Sequence, residues 1–250
     1  MLEERLDCIG HNKGLLLAFL CGFVVRLIPE LLSYPNPIGW DTIYYAYRIE
    51  DGVLFGYWDN IFSSWMIYAI LMFLTDLTHL SPFLLLKVVA PLLYGGVSAG
   101  VYFVASKKFG WSITKSLMAC LVLIFSVAGL AISWQFYRNV FGVIVFLFAI
   151  PLIKNDINWK ETMVLSILSL LIAWGHELST ISFFFVVLGY LLLSVVKKEK
   201  IHYRLFVALI PAFLVFLVIF FGYLPMQFNF PLIWFGWTIV FGLIRLTCSF

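Results

Sequence analysis

The chain has 250 residues, of which 63% are hydrophobic and only 12% charged, with a formal net charge of +3. Its mean hydropathy is +1.03, whereas a soluble domain is about half apolar and a quarter charged. Too little polar surface exists to coat a water-soluble globule, so disordered, fibrous and ordinary cytosolic classes are excluded and an all-α integral membrane protein is expected.

The first apolar run, 14–32, has the look of a signal-peptide core, but it continues through Arg26 without a small-x-small cleavage site, so it reads as an uncleaved first helix. A polar and aromatic segment, 33–81, follows. Within it, 61–75 is apolar, yet fifteen helical residues rise only about 22 Å, short of a roughly 30 Å hydrocarbon core. Apolar runs at 82–106, 116–133, 140–153, 162–174, 181–196, 205–222 and 231–246 bring the expected total to about eight transmembrane helices.

Charge decides the status of 61–75. If the N-terminus is cytoplasmic and 61–75 does not cross, then Arg5, Lys13, Lys107, Lys108, Lys115, Lys154, Lys160, Lys197, Lys198, Lys200, Arg204 and Arg245 are cytoplasmic, 12 of the 16 Lys and Arg residues. A crossing there would move most of them outside, against the positive-inside bias. The segment is therefore expected to be interfacial or re-entrant, with Trp58, Trp65 and Tyr68 at headgroup level. The chain reads as one domain, 1–250, with 33–81 as an extracytoplasmic loop carrying juxtamembrane helices. Four scattered cysteines without a CxxC pair indicate neither a disulfide framework nor a zinc site.

Ionisable groups at membrane depth cost several kcal/mol unless paired or hydrated, so their placement is informative. Seven of the 13 acids fall on the outer side, namely Glu30, Asp41, Glu50, Asp51, Asp59, Asp76 and Glu177. Arg26, Arg48, Lys87, Arg138, His79 and His176 lie among them. Arg26 and Glu30 share a helix face, as neutralising partners or as ligand contacts. Asp41 follows a Pro35-Asn36-Pro37-Ile38-Gly39 turn and opens an aromatic stretch with Trp40, Tyr44 and Tyr45. It is either a helix cap or a carboxylate in a sugar-binding surface. Arg138 is placed to snorkel or to clamp a lipid phosphate. His176-Glu177 interrupts an apolar stretch within reach of it, and Glu50 and Asp51 read as solvated loop residues. No basic-aromatic face supports nucleic-acid binding.

Three features together resemble the GT-C superfamily of membrane glycosyltransferases, which includes oligosaccharyltransferase catalytic subunits, protein mannosyltransferases and aminoarabinose transferases. A first helix ending Arg26-Leu27-Ile28-Pro29-Glu30 leads into a long outer loop with Gly39-Trp40-Asp41. An interfacial segment precedes Leu86-Lys87-Val88-Val89-Ala90-Pro91, a span ending Lys107-Lys108-Phe109-Gly110-Trp111. Tyr137-Arg138-Asn139 links two later spans.

The resemblance implies sugar transfer from a polyprenyl-phosphate donor on the extracytoplasmic side of a prokaryotic plasma membrane or the endoplasmic reticulum. It implies Asp41 as the catalytic carboxylate, with Arg138, Lys87 and Arg26 on the donor phosphate. Trp40, Tyr44, Tyr45, His176, Glu177 and Glu30 would contact substrate. No organic cofactor is implied. A divalent cation (Mg or Mn) would have only Asp41 and Glu177 to hold it, because Arg138 is followed by Asn139 rather than the acidic pair of the oligosaccharyltransferases. The chain is also shorter than such enzymes, which leaves room for a partner subunit completing the acceptor site. The alternatives are a non-catalytic subunit that binds lipid-linked sugar and a transporter of an anionic substrate.

Overall fold

The computed structural model describes residues 2–36, 38–51, 66–200 and 203–219, apart from the side chains of residues 2–9, Trp40, Asp51 and Gln135. The described residues are helical, with no strand among them: α1 Leu2–Leu32, α2 Trp40–Asp51, α3 Met66–Thr78, α4 Pro82–Lys107, α5 Ile113–Ile124, α6 Val127–Gln135, α7 Tyr137–Ala149 with a 3-10 turn Ile150–Leu152, α8 Trp159–Gly175, α9 Glu177–Val196 and α10 Tyr203–Leu217.

Three of these are long and apolar enough to cross a membrane: Gly10–Leu32, Pro82–Lys107 and Glu177–Val196. A fourth candidate is the pair Ile113–Ile124 and Val127–Trp134, bent by 63° at its break. The expected eight spans are therefore not reached among the described residues, and the run 231–246 lies outside them. Two physical reasons account for the difference. Apolar composition measured over a window does not register helix length, and Met66–Thr78, Tyr137–Leu152 and Tyr203–Leu217 are apolar but short. Nor does it register breaks. The run 116–133 was expected as one span, but Ser126 caps a new helix by accepting the Gly129 N–H at 3.0 Å. The opposite side of the break is held by the Tyr94 hydroxyl, which donates to the Ile124 carbonyl at 3.1 Å.

Large apolar side chains on the outside match a hydrocarbon solvent rather than water: Leu32 is 83% exposed, Val127 84% and Val196 78%. The interior is built on α4, which packs against α1 on one side and α7 on another. Small residues make those approaches close, as expected where helices associate without a hydrophobic drive. A Cβ on Gly22 of α1 would meet Ser98 Cβ at 2.8 Å, and one on Gly95 of α4 would meet the Phe19 carbonyl oxygen at 2.9 Å. Ser98 donates across the same seam to the Ala18 carbonyl at 2.7 Å.

Successive long helices alternate in direction, so their ends sort chemically. At one end Lys108 donates to the Ile153 carbonyl at 2.7 Å, Lys154 pairs with Glu161 at 2.8 Å, and Asn155 donates to Glu199 at 2.7 Å. Asn158 and Glu161 form a reciprocal capping box at the start of α8 there. The opposite end gathers the termini carrying Arg26, Glu30, Lys87, Arg138 and Glu177.

The α1–α4 seam is testable by substitution. Gly22→Leu is expected to lower the melting temperature in detergent sharply, because the new side chain meets backbone and Cβ atoms of α4. Gly189→Ala, where nothing lies within 4 Å, is expected to be neutral or to stabilise by up to about 1 kcal/mol.

Candidate functional site

The polar end is built from a buried ion network and a tyrosine cluster. Arg26 and Glu30 sit one turn apart on α1, and their side chains are 2.6 Å apart. Lys87 of α4 reaches the same carboxylate at 3.1 Å and also donates to the Glu30 carbonyl at 3.0 Å and to the Ser33 hydroxyl at 2.9 Å. All three ions are nearly solvent-free, at 0%, 3% and 7% exposure. The three Lys87 N–H groups are thus all engaged. The Arg26 Nε and Nη1 atoms find no hydrogen-bond acceptor among the described residues. One carboxylate between two cations makes Glu30 the keystone, since its loss strands two buried positive charges.

Tyr137, at the start of α7, feels both the Arg26 and the Glu30 charge. Its hydroxyl lies 2.9 Å from that of Thr42 on α2. Thr42 directs its single proton to the carbonyl of Ile38, and the Trp134 carbonyl is 3.4 Å away, so Tyr137 is the donor between the two hydroxyls. Gly39 makes this docking possible. Its φ is +88°, and a Cβ there would collide with the Trp134 carbonyl oxygen. The turn thereby sets the start of α2, and with it the position of Asp41.

Asp41 is half-buried and has neither hydrogen bond nor ion pair among the described residues, so burial pushes its carboxyl above the usual carboxylate range. Four residues on, Tyr45 stacks on Tyr68 with centroids 5.1 Å apart and meets Tyr137 edge-on at 4.9 Å. The Tyr45 hydroxyl accepts the Arg138 backbone N–H at 3.3 Å. Burial pushes that hydroxyl up to about 12; Arg138 pulls it down and Asp41 pushes it further up. The carboxylate and the guanidinium therefore both act on one hydroxyl, although 97 positions separate them in the chain.

The Arg138 Nη2 lies 3.1 Å from both carboxylate oxygens of Glu177 at the start of α9. Beside them, Ser179 donates to Asn139 at 3.2 Å. His176 joins α8 to α9, and burial lowers its pKa to about 4, with Glu177 opposing and Arg138 assisting. It is neutral at physiological pH, and its buried Nδ1 has no partner among the described residues.

Several expectations thus meet at one end of the bundle: Arg26 with Glu30 and Lys87, Asp41 with Tyr45 and Arg138, and Arg138 with Glu177 and His176. Tyr44 accepts from Arg48 at 2.8 Å and is half exposed. Trp40 opens α2, but its side chain lies outside the described ones. So do Trp58, Asp59 and Trp65. Tyr68 is 2% exposed inside the tyrosine cluster, with the Arg48 guanidinium 4.8 Å from its ring. The contacts overlooked in the sequence are those of Thr42, Ser33, Tyr137 and Asn139 with Ser179. The only signal for Tyr137 was its place beside Arg138.

No group of three or more His, Cys, Asp or Glu side chains among the described residues is arranged to hold a metal ion. A groove of about 310 Å³ lies against α1 and α5, lined by Leu20, Cys21, Val24, Val25, Leu121, Ile124 and Phe125. It is wholly apolar and includes none of the expected site residues.

Two stability measurements separate the roles of the acids. Glu30→Gln is expected to destabilise by about 3–5 kcal/mol in detergent unfolding, as for one partner removed from a buried ion network. Asp41→Asn is expected to do the reverse at pH 7. A carboxyl whose folded pKa is raised penalises the folded state above that pKa, and the penalty fades as pH falls toward the ordinary carboxylate value. The melting-temperature gain of Asp41→Asn should therefore shrink in acid. No protein-family model matches the chain, and no curated protein and no solved structure matches it.

Proposed function

We propose that the chain is a membrane glycosyltransferase of the GT-C kind, moving a sugar from a polyprenyl-phosphate donor to an acceptor at its polar end. The observation that carries this reading is Asp41. A half-buried carboxylate without a partner among the described residues is unfavourable for folding, and such unfavourable groups concentrate at functional sites. The charge of Asp41 and that of Arg138 both act on the Tyr45 hydroxyl.

In this reading the acceptor hydroxyl attacks the anomeric carbon, and Asp41 takes the hydroxyl proton as the new C–O bond forms. The bond from the anomeric carbon to the phosphate oxygen breaks, and Arg138 stabilises the charge on the departing polyprenyl phosphate. Lys87 and Arg26 belong to the buried network and act by holding α1, α4 and α7 around the site. His176 stays neutral and serves as a hydrogen-bonding group, with Trp40, Tyr44 and Tyr45 on the sugar. The basic end faces the cytoplasm together with the N-terminus, and the polar end faces outward. A partner subunit supplies the acceptor site where this chain alone does not.

The test is release of polyprenyl phosphate from a panel of labelled hexosyl and pentosyl donors by protein in phosphatidylcholine nanodiscs. Wild type is expected to turn over at least one donor, and Asp41→Asn to lose about 10²–10⁴-fold while remaining folded. The acid limb of the rate profile should lie above the ordinary carboxylate pKa, because Asp41 works only when ionised. Undiminished turnover by Asp41→Asn removes the base assignment. Stable donor binding with no turnover replaces the enzyme with a lipid-sugar-binding subunit.

A further inference from the structure

Of the three cations assigned to phosphate, only one is placed to meet it. Arg26 is 0% exposed, and Lys87 is 7% exposed with all three N–H groups engaged. Arg138 is 16% exposed, and its Glu177 partner 36%. The carboxylate is thus the more solvent-exposed member of the pair.

A carboxylate offers an arginine two oxygens on a planar group, much as a phosphate offers two of its own. The Arg138 Nη2 lies 3.1 Å from both Glu177 oxygens, a charge-assisted contact of the kind that a phosphate oxygen would also make. The backbone that carries Glu177 is pinned. Thr180 donates its N–H to the His176 carbonyl at 3.1 Å and its hydroxyl to the Ile172 carbonyl at 3.1 Å. Ser179 is tied to Asn139 of α7. The Glu177 side chain, by contrast, is the more exposed half of the pair.

We propose that Glu177 is a built-in competitor, which occupies Arg138 in the resting protein and is displaced when a phosphate monoester or diester binds. This rests on the reading of Arg138 as the phosphate arm. Glu177 then sets selectivity: a weakly charged or neutral headgroup fails to displace it, whereas a phosphate succeeds. It also keeps the guanidinium neutralised while the site is empty, which a cation at the end of an apolar bundle requires.

The experiment measures binding of dodecyl phosphate, and separately of inorganic phosphate, to protein in phosphatidylcholine nanodiscs, with no sugar donor present. Glu177→Gln is expected to tighten binding about fivefold, the scale of one partly exposed ion pair. Glu177→Asp, one methylene shorter, should give a smaller gain and serves if the first variant does not fold. Arg138→Gln should abolish the gain in the double variant. A gain for dodecyl phosphate alone assigns the site to a lipid-borne phosphate, and a gain for both ligands to phosphate in general. Weaker or unchanged binding in both Glu177 variants overturns the proposal, as does a gain that survives Arg138→Gln. The readout is binding without turnover, so a missing transferase activity would remove the enzyme reading and leave this one standing.

Discussion

Charge buried in an apolar bundle has to find its opposite, and in this protein that requirement joins the helices at one end. Glu30 lies between Arg26 on its own helix and Lys87 on α4, all three withdrawn from solvent. In a low-dielectric interior the attraction is strong, but so is the cost of removing each ion from water. The network is therefore better understood as a registry device than as a source of net stability. It allows α1 and α4 to meet in one arrangement, because any slip parts Lys87 from Glu30 and leaves a buried cation without its carboxylate. The glycine and serine seam farther along the same two helices permits the close approach, and the ions specify where it stops.

From that registry the rest of the polar end follows. Tyr137 faces the Arg26–Glu30 pair and passes a hydrogen bond to Thr42, which ties α7 to α2. Gly39, pressed on the Trp134 carbonyl, brings the kinked α5–α6 pair to the same point. Asp41 is thus held in place by its neighbours in the chain, while its side chain forms no hydrogen bond or ion pair among the described residues. The contrast between the two acids is informative: Glu30 is fully buried and doubly paired, whereas Asp41 is half-buried and unpaired among the described residues. Structural economy explains the first and not the second.

Arg138 stands between these two worlds. Its backbone N–H supports Tyr45, its guanidinium pairs with Glu177, and its charge is felt by both Tyr45 and His176. A single cation that influences three neighbours is well suited to sense the arrival of another anion. The neutral state of His176 means that Arg138 faces no competing positive charge from that side at physiological pH.

The sequence by itself pointed to an all-helical chain with a hydrocarbon-compatible surface, and the structure agrees in having three or four helices long and apolar enough to cross a membrane. The pairing of Arg26 with Glu30 was legible because four residues on a helix make one turn. Span number was not legible, because a hydropathy window averages over the serine cap at Ser126 and over helices too short to cross. The meeting of Lys87 with Glu30, of Tyr137 with Thr42, and of Arg138 with Glu177 was decided only by tertiary structure. Each joins residues at least 39 positions apart, and no local pattern records which helix faces which. The burial of Tyr68 was hidden for the same reason: a tyrosine serves a headgroup boundary or a packed ring cluster equally well, and only its neighbours choose between them.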